Sequence, residues 1–152
     1  MSLQAKINED LKAAIKRKDQ NTLPVLRMLK SDIQYELAKT GASSLDDEKV
    51  LSIIKKAMKQ REESAGEYER AGREDLKQRE EHEAEILSSY LPPPLSREEI
   101  LELIAKLIKE NPPTKAADSG KYVGKAMQEL KGKNIDGALV ALLVKEEIQK
   151  LF

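Results

Sequence analysis

The chain has 152 residues, with 27 basic and 27 acidic side chains, one histidine and no cysteine. That length suits one domain or two small helical ones, and the missing thiols exclude disulfide frameworks, zinc ribbons, iron–sulfur clusters and thiol nucleophiles. Balanced charge gives no global attraction for nucleic acid, and no apolar run approaches the ~20 residues of a membrane span.

Aromatic residues are scarce and period-two alternation of β-branched residues is missing, so the expected fold is all-α. Leu3, Ile7, Leu11 and Ile15 repeat every four residues behind Ser2, a good N-cap. Asp19 to Thr22 form a turn, and Pro24 suits the first turn of a second helix whose stripe is Leu26, Leu29, Ile33 and Leu37. Gly41 fits its C-terminal cap. Ser44, with Asp47 three residues on, predicts the start of a long third helix carrying Val50, Leu51, Ile54, Met58, Ala65 and Tyr68 to about Ala71. Gly66 weakens it and Gly72 ends it. A fourth helix is expected over 75–90, with Leu76, Ile86, Leu87 and Tyr90 apolar and a highly charged, solvated middle.

Pro92-Pro93-Pro94 cannot continue a helix and favours a stiff, extended segment. Ser96 then opens a helix with Glu99 at the capping-box position and a stripe of Ile100, Leu103, Ile104, Leu107 and Ile108. Asn111-Pro112-Pro113 ends it. Tyr122, Val123, Ala126, Met127 and Leu130 predict a short helix closed by Gly132, and Asp136 caps a last helix bearing Leu139, Val140, Leu143, Val144, Ile148 and Leu151. The expected organisation is an N-terminal helical domain over 1–91 with one long helix, followed by a small three-helix C-terminal domain over 92–152.

The residues that could carry chemistry are few. His82 lies among glutamates off the apolar stripe and reads as a surface histidine, too few ligands for a metal site. Paired carboxylates such as Glu62-Glu63 and Glu80-Glu81 sit in charge-rich helix faces and read as salt-bridging, whereas acid–base catalysis needs an enclosed pair with separated pKa values. Gly120-Lys121-Tyr122-Val123-Gly124-Lys125-Ala126 fails as a phosphate loop: its glycines are too close, and Ala126 stands where Ser or Thr must bind magnesium. On a helix, Gly120 and Gly124 share a face that would admit a second backbone. Gly132 and Gly137 belong to a turn closed by Asp136. Lys121, Lys125, Lys131 and Lys133 gather near helix ends, where amide N–H groups favour anions. Lys12 to Lys30 forms a second basic stretch, with six cations against Asp19. No catalytic residue, metal or cofactor is expected.

The stretch Asp118-Ser119-Gly120-Lys121-Tyr122-Val123-Gly124-Lys125-Ala126-Met127, followed by Lys131-Gly132-Lys133 and Asp136-Gly137, resembles the YqeY family. The first half agrees through Val25-Leu26-Arg27-Met28-Leu29-Lys30, Lys59-Gln60-Arg61-Glu62-Glu63-Ser64, Ala71-Gly72-Arg73-Glu74-Asp75-Leu76 and Tyr90-Leu91-Pro92. The C-terminal unit is also similar to the tail domain of GatB, a subunit of the tRNA-dependent amidotransferase. Ser119 stands where the family has a bulky apolar residue, and the turn before Asp136 is one residue longer than usual. The resemblance implies an RNA-contacting or adaptor module, with Lys121, Lys125, Lys131 and Lys133 as the RNA-binding residues and tRNA as the partner.

Two alternatives follow from the same resemblance. One is a protein–protein module of the amidotransferase or translation machinery. The other is an accessory to glutamine-dependent carbon–nitrogen ligase activity, although the chain has neither an ATP-binding loop nor a Cys nucleophile. DNA and membrane partners are not expected. Glu9 and Asp10 near the start, without a signal-type apolar block, predict a cytoplasmic protein.

Overall fold

A computed structural model describes all 152 residues, which form helices and no strands. The chain divides into two compact units, Met1–Leu91 and Pro92–Phe152. No helix is long and apolar enough to cross a membrane.

In the first unit, α1 spans Leu3–Arg17, and Ser2 Oγ accepts the N–H of Ala5 at its start. The buried stripe is Ile7, Leu11 and Ala14. Ile15, expected in that stripe, is half exposed, because a four-residue repeat drifts by about 40° per step around a 3.6-residue helix. Asp19 Oδ1 accepts the N–H groups of Asn21 and Thr22, which turns the chain into α2, Leu23–Thr40. Gly41 closes α2 at φ 72, a conformation that glycine adopts without the Cβ penalty.

The long helix α3 spans Asp47–Arg70 and begins later than expected. Its cap is Asp46, whose carboxylate accepts the N–H of Lys49 at 2.9 Å, and not Ser44. Leu45 decides the register. It is buried, and its N–H donates to Gln4 Oε1 at 2.8 Å, while Asp47 Oδ1 accepts the N–H of Leu3 at 2.8 Å. The first turns of α1 and α3 are thereby stitched together. Leu45 and Val50 occupy hydrophobic-staple positions around the cap and share one core. Gly66 does not interrupt α3, and Gly72 turns the chain at φ 72.

The fourth helix, α4, spans Glu74–Ser88 and packs along α3. It stops before Tyr90 because Ser88 and Ser89 turn their hydroxyls onto the carbonyls of Glu85 and Ile86. Tyr90 reaches back to α1, where its O–H donates to Asp10 at 2.6 Å and Lys6 Nζ lies 5.6 Å from its ring centroid. Burial, then the bond to Asp10, pushes the phenol pKa well above its ordinary value.

The charged middle of α4 is less solvated than expected. Arg61 of α3 stands against Glu80 at 3.7 Å and Glu83 at 2.9 Å, and all three side chains are only about one-fifth exposed. The Arg61 Nε is buried and not aligned for a hydrogen bond, so the Glu83 contact is an ion pair. An Nη group of Arg61 also touches Met28 Sδ on α2. Below this layer Ile7, Leu26, Leu29, Ile54 and Leu87 fill the core. Each fully buried aliphatic side chain contributes about 1.5–3 kcal/mol.

The second unit holds α5 (Arg97–Glu110), a 3-10 turn (Ala116–Asp118), α6 (Ser119–Glu129) and α7 (Gly137–Gln149). Ser96 Oγ accepts the N–H of Glu99 at 3.1 Å, as the capping box requires. The core joins Ile100 and Ile104 of α5, Tyr122 and Ala126 of α6, and Val140, Leu143 and Ile148 of α7. Tyr122 donates its O–H to the carbonyl of Asn111, which α5 leaves without a helical partner. Leu151 lies past the end of α7 and is half exposed, so it adds nothing to the stripe.

The Arg61 layer predicts a pH-dependent mutant. Burial, then the charge of Glu83, raises the Glu80 pKa above its ordinary value, and Arg61 opposes this. A carboxyl with a raised folded-state pKa takes up protons on folding, so its contribution is full at low pH and falls as pH rises through that value. Arg61→Met keeps an apolar stem and removes the cation. The variant should lose about 1–3 kcal/mol at neutral pH. Its deficit should shrink as the pH falls through the carboxylate range, measured by thermal melts across pH. A deficit independent of pH would show that Arg61 acts by packing alone.

Candidate nucleic-acid interface

The buried face of α6 is Tyr122 and Ala126, which turns Gly120, Lys121 and Gly124 outward. Lys125 is half-buried and holds its Nζ 5.6 Å from the Tyr122 ring centroid, an arrangement in which the ring face attracts the cation. Lys121, Gly124 and Lys125 line one open groove with the end of α5, and Glu110 and Glu129 lie on the same groove. Lys131 and Lys133 are exposed in the turn after α6, outside that groove, and each has an interaction within the chain. The structure thus pairs two of the four lysines on one face and carries the other two in the following turn.

That turn is built from specific backbone needs. Gly132 sits at φ 78, and the N–H of Lys133 donates to the carbonyl of Leu130 at 3.0 Å. Asn134 donates its side-chain amide to the carbonyl of Pro92 at 3.0 Å and accepts the N–H of Leu95 on its own carbonyl at 3.1 Å. Asp136 accepts the N–H of Ala138 at 3.0 Å and starts α7. A carboxylate therefore already occupies the first turn of α7. The lysines, and not the helix end, supply any attraction for an anion here.

Gly120 and Gly124 share a face, but no other part of the chain uses it. A Cβ at either position would meet nothing within 4 Å. The segment 120–126 is helical throughout, so it offers no loop of amides to cradle a phosphate. Gly137 is half-buried, and a Cβ there would meet Met127 Cε at an ordinary 3.5 Å. Ahead of α6, the Asp118 carboxylate accepts the N–H and Oγ1–H of Thr114. Desolvation pushes its pKa up, but those bonds outweigh it and hold the carboxyl below its usual range.

The remaining candidates are placed plainly. His82 is exposed on α4. No group of three or more histidine, aspartate or glutamate side chains is placed to hold a metal ion. In the Lys12–Lys30 stretch, Lys12, Lys16, Lys18, Arg27 and Lys30 are exposed, and Arg17 stands 3.8 Å from Asp19. Two residues carry more than their sequence context shows. Arg61 falls on the core stripe of α3 between Met58 and Ala65, which marks it as a cation facing inward. Tyr35 lies on the polar face of α2, 72% exposed.

The family model described as Yqey-like protein matches residues 4–148. Several curated relatives align with most of the chain. The protein named altered inheritance of mitochondria protein 41, mitochondrial, from Pyrenophora tritici-repentis is 27% identical over 94% of this chain and 79% of its own length. Its namesake from Lachancea thermotolerans is 32% identical over 78% of this chain and 67% of its own length. A third, from Clavispora lusitaniae, is 29% identical over 85% and 74%. These names correct the expectation of a cytoplasmic protein, since the relatives are named as mitochondrial. Acidic residues near the start and the lack of an apolar block do not define a compartment.

The glycines separate by conformation. Gly124→Ala should stabilise the second unit by about 0.5–1 kcal/mol, because the site is helical, open and free of contacts. Gly132→Ala should destabilise it by about 1–2 kcal/mol, because φ 78 forces the new Cβ against the backbone. Denaturant titrations of both variants check the opposite signs.

Proposed function

The chain belongs to the YqeY family, and from that premise we propose that its C-terminal unit is a non-catalytic tRNA-binding or adaptor module related to the tail domain of the tRNA-dependent amidotransferase. The observation that carries this reading is the placement of Lys121, Lys125, Lys131 and Lys133 on one helix and the turn that follows it. The turn is held by Gly132, Asn134 and Asp136, so its lysines leave from an ordered backbone. Phosphate contacts position a protein on nucleic acid without reading bases. Structured RNA is recognised largely by shape and backbone, which suits a unit whose tyrosine, Tyr122, is buried.

The chemistry on the same surface is that of binding. Glu110 and Glu129 stand among the lysines in an open groove, not as an enclosed acid–base pair. An adaptor role in the amidotransferase or translation machinery is the second reading, and the open Gly120/Gly124 face favours it, since these two positions put no side chain in the way of a partner helix.

An anisotropy titration of bulk tRNA at two or more salt concentrations tests the first reading. Four phosphate contacts predict a log–log slope of about −3 to −4. Replacing all four lysines by alanine should abolish most of the affinity and flatten that slope. Wild-type affinity in the quadruple variant would remove this surface from RNA binding. A partner captured from lysate that persists after nuclease treatment would favour the adaptor reading.

A further inference from the structure

We infer that the groove between α2 and α3 binds an unpaired nucleotide, with its base stacked on Tyr35 and its phosphate held by Lys39 and Lys56. The groove encloses about 480 Å³, within the range of small-ligand sites. Tyr35 lines it from α2 with 72% of its surface open to solvent, and its ring makes no hydrogen bond or aromatic contact within the chain. An aromatic ring of that exposure wastes its burial energy in the free protein and recovers it when a flat partner covers it.

The charges around the ring sort into one neutral pair, two open cations and one open carboxylate. Lys49 lies 3.9 Å from Glu36, so those two offset each other. Lys39 and Lys56 line the groove from opposite helices, are exposed and have no acidic partner. Asp32 lies one turn before Tyr35 on the same wall, also without a cation. A ring with two ammonium groups and one carboxylate presents the features a nucleotide needs: a stacking face, a counter-charge for phosphate, and an acceptor for a ribose hydroxyl or an exocyclic amine. Stacking on an aromatic side chain tolerates any base. An acidic peptide would use the two lysines but would leave the tyrosine and Asp32 without a role. The site is separate from the lysines of α6, so it stands or falls independently of the tRNA reading.

The test is anisotropy of a fluorescently labelled single-stranded octaribonucleotide on the full chain, with AMP and ATP as competitors. Tyr35→Ala should weaken binding about tenfold, in line with one stacked base. Tyr35→Phe, which keeps the ring, should stay within about twofold. Lys39→Gln/Lys56→Gln strips both cations from that one phosphate and should lower the salt slope by about 0.7, the value for one phosphate contact on a single strand. Competition by AMP or ATP near the oligonucleotide's own affinity would assign the site to free nucleotides, and competition by RNA alone would assign it to an unpaired strand. Either result supports the proposal. Unchanged binding in Tyr35→Ala, or an equal loss in Tyr35→Phe, overturns it. All substituted positions are exposed, so circular dichroism should show an unaltered helix content.

Discussion

The wall of α4 that faces α3 carries two half-buried carboxylates, Glu80 and Glu83, and Arg61 of α3 is the cation that meets both. It meets Glu80 and Glu83 from one side and Met28 from the other. The rest of the first unit depends on the alignment this permits. With α4 held against α3, Leu87 enters the core made by α1 and α2, and Tyr90 arrives where its hydroxyl can reach Asp10. A lysine would carry the same charge but no planar fork with which to face two carboxylates and a thioether at once.

The second unit solves its packing by another route. It has no half-buried ionic layer; its apolar cluster is closed by one tyrosine that spends its hydroxyl on the carbonyl of Asn111, just past α5. Where the first unit half-buries a layer of charge, the second keeps its charge at the surface, on α6 and the turn behind it among other places. Helix ends that might have attracted anions are mostly taken by the chain's own groups: Asp136 at α7, Ser96 at α5, Asp46 at α3 and Ser2 at α1. Attraction for an anion therefore falls to side chains, and so to the exposed lysines.

Much of this was legible in the sequence. Proline, glycine and capping residues mark helix limits by backbone rules that act locally, so Ser2, Gly41, Ser96, Gly132 and Asp136 all stand where they were expected. The failures came where a distant contact outweighed a local signal. Ser44 lost the start of α3 because Leu45 is drawn into the core and tied to Gln4, forty-one residues away. Ile15 left its stripe because a four-residue repeat drifts around the helix, so that Ala14 takes the buried position. The middle of α4 looked solvated because nothing in its own sequence reveals an arginine on another helix. Of the candidate site, the positions of the lysines along α6 were readable from helical periodicity. Their division between a groove and a turn was not, since it depends on how α5 and α7 pack on α6. The open ring of Tyr35 was missed for a similar reason: its surroundings come from two helices.

The two glycines of α6 have a consequence for motion. An eleven-residue helix is too short to persist alone in water, and Gly124 in its interior makes it weaker by roughly a kilocalorie, with Gly120 in its first turn adding no support. What keeps α6 wound is the grip of Tyr122 and Ala126 on the helices beneath. Such a segment is the natural place for sub-global opening. Its amides should exchange with solvent ahead of those of α5 and α7, so that the surface bearing Lys121 and Lys125 would be the part of this unit most readily reshaped by whatever binds it.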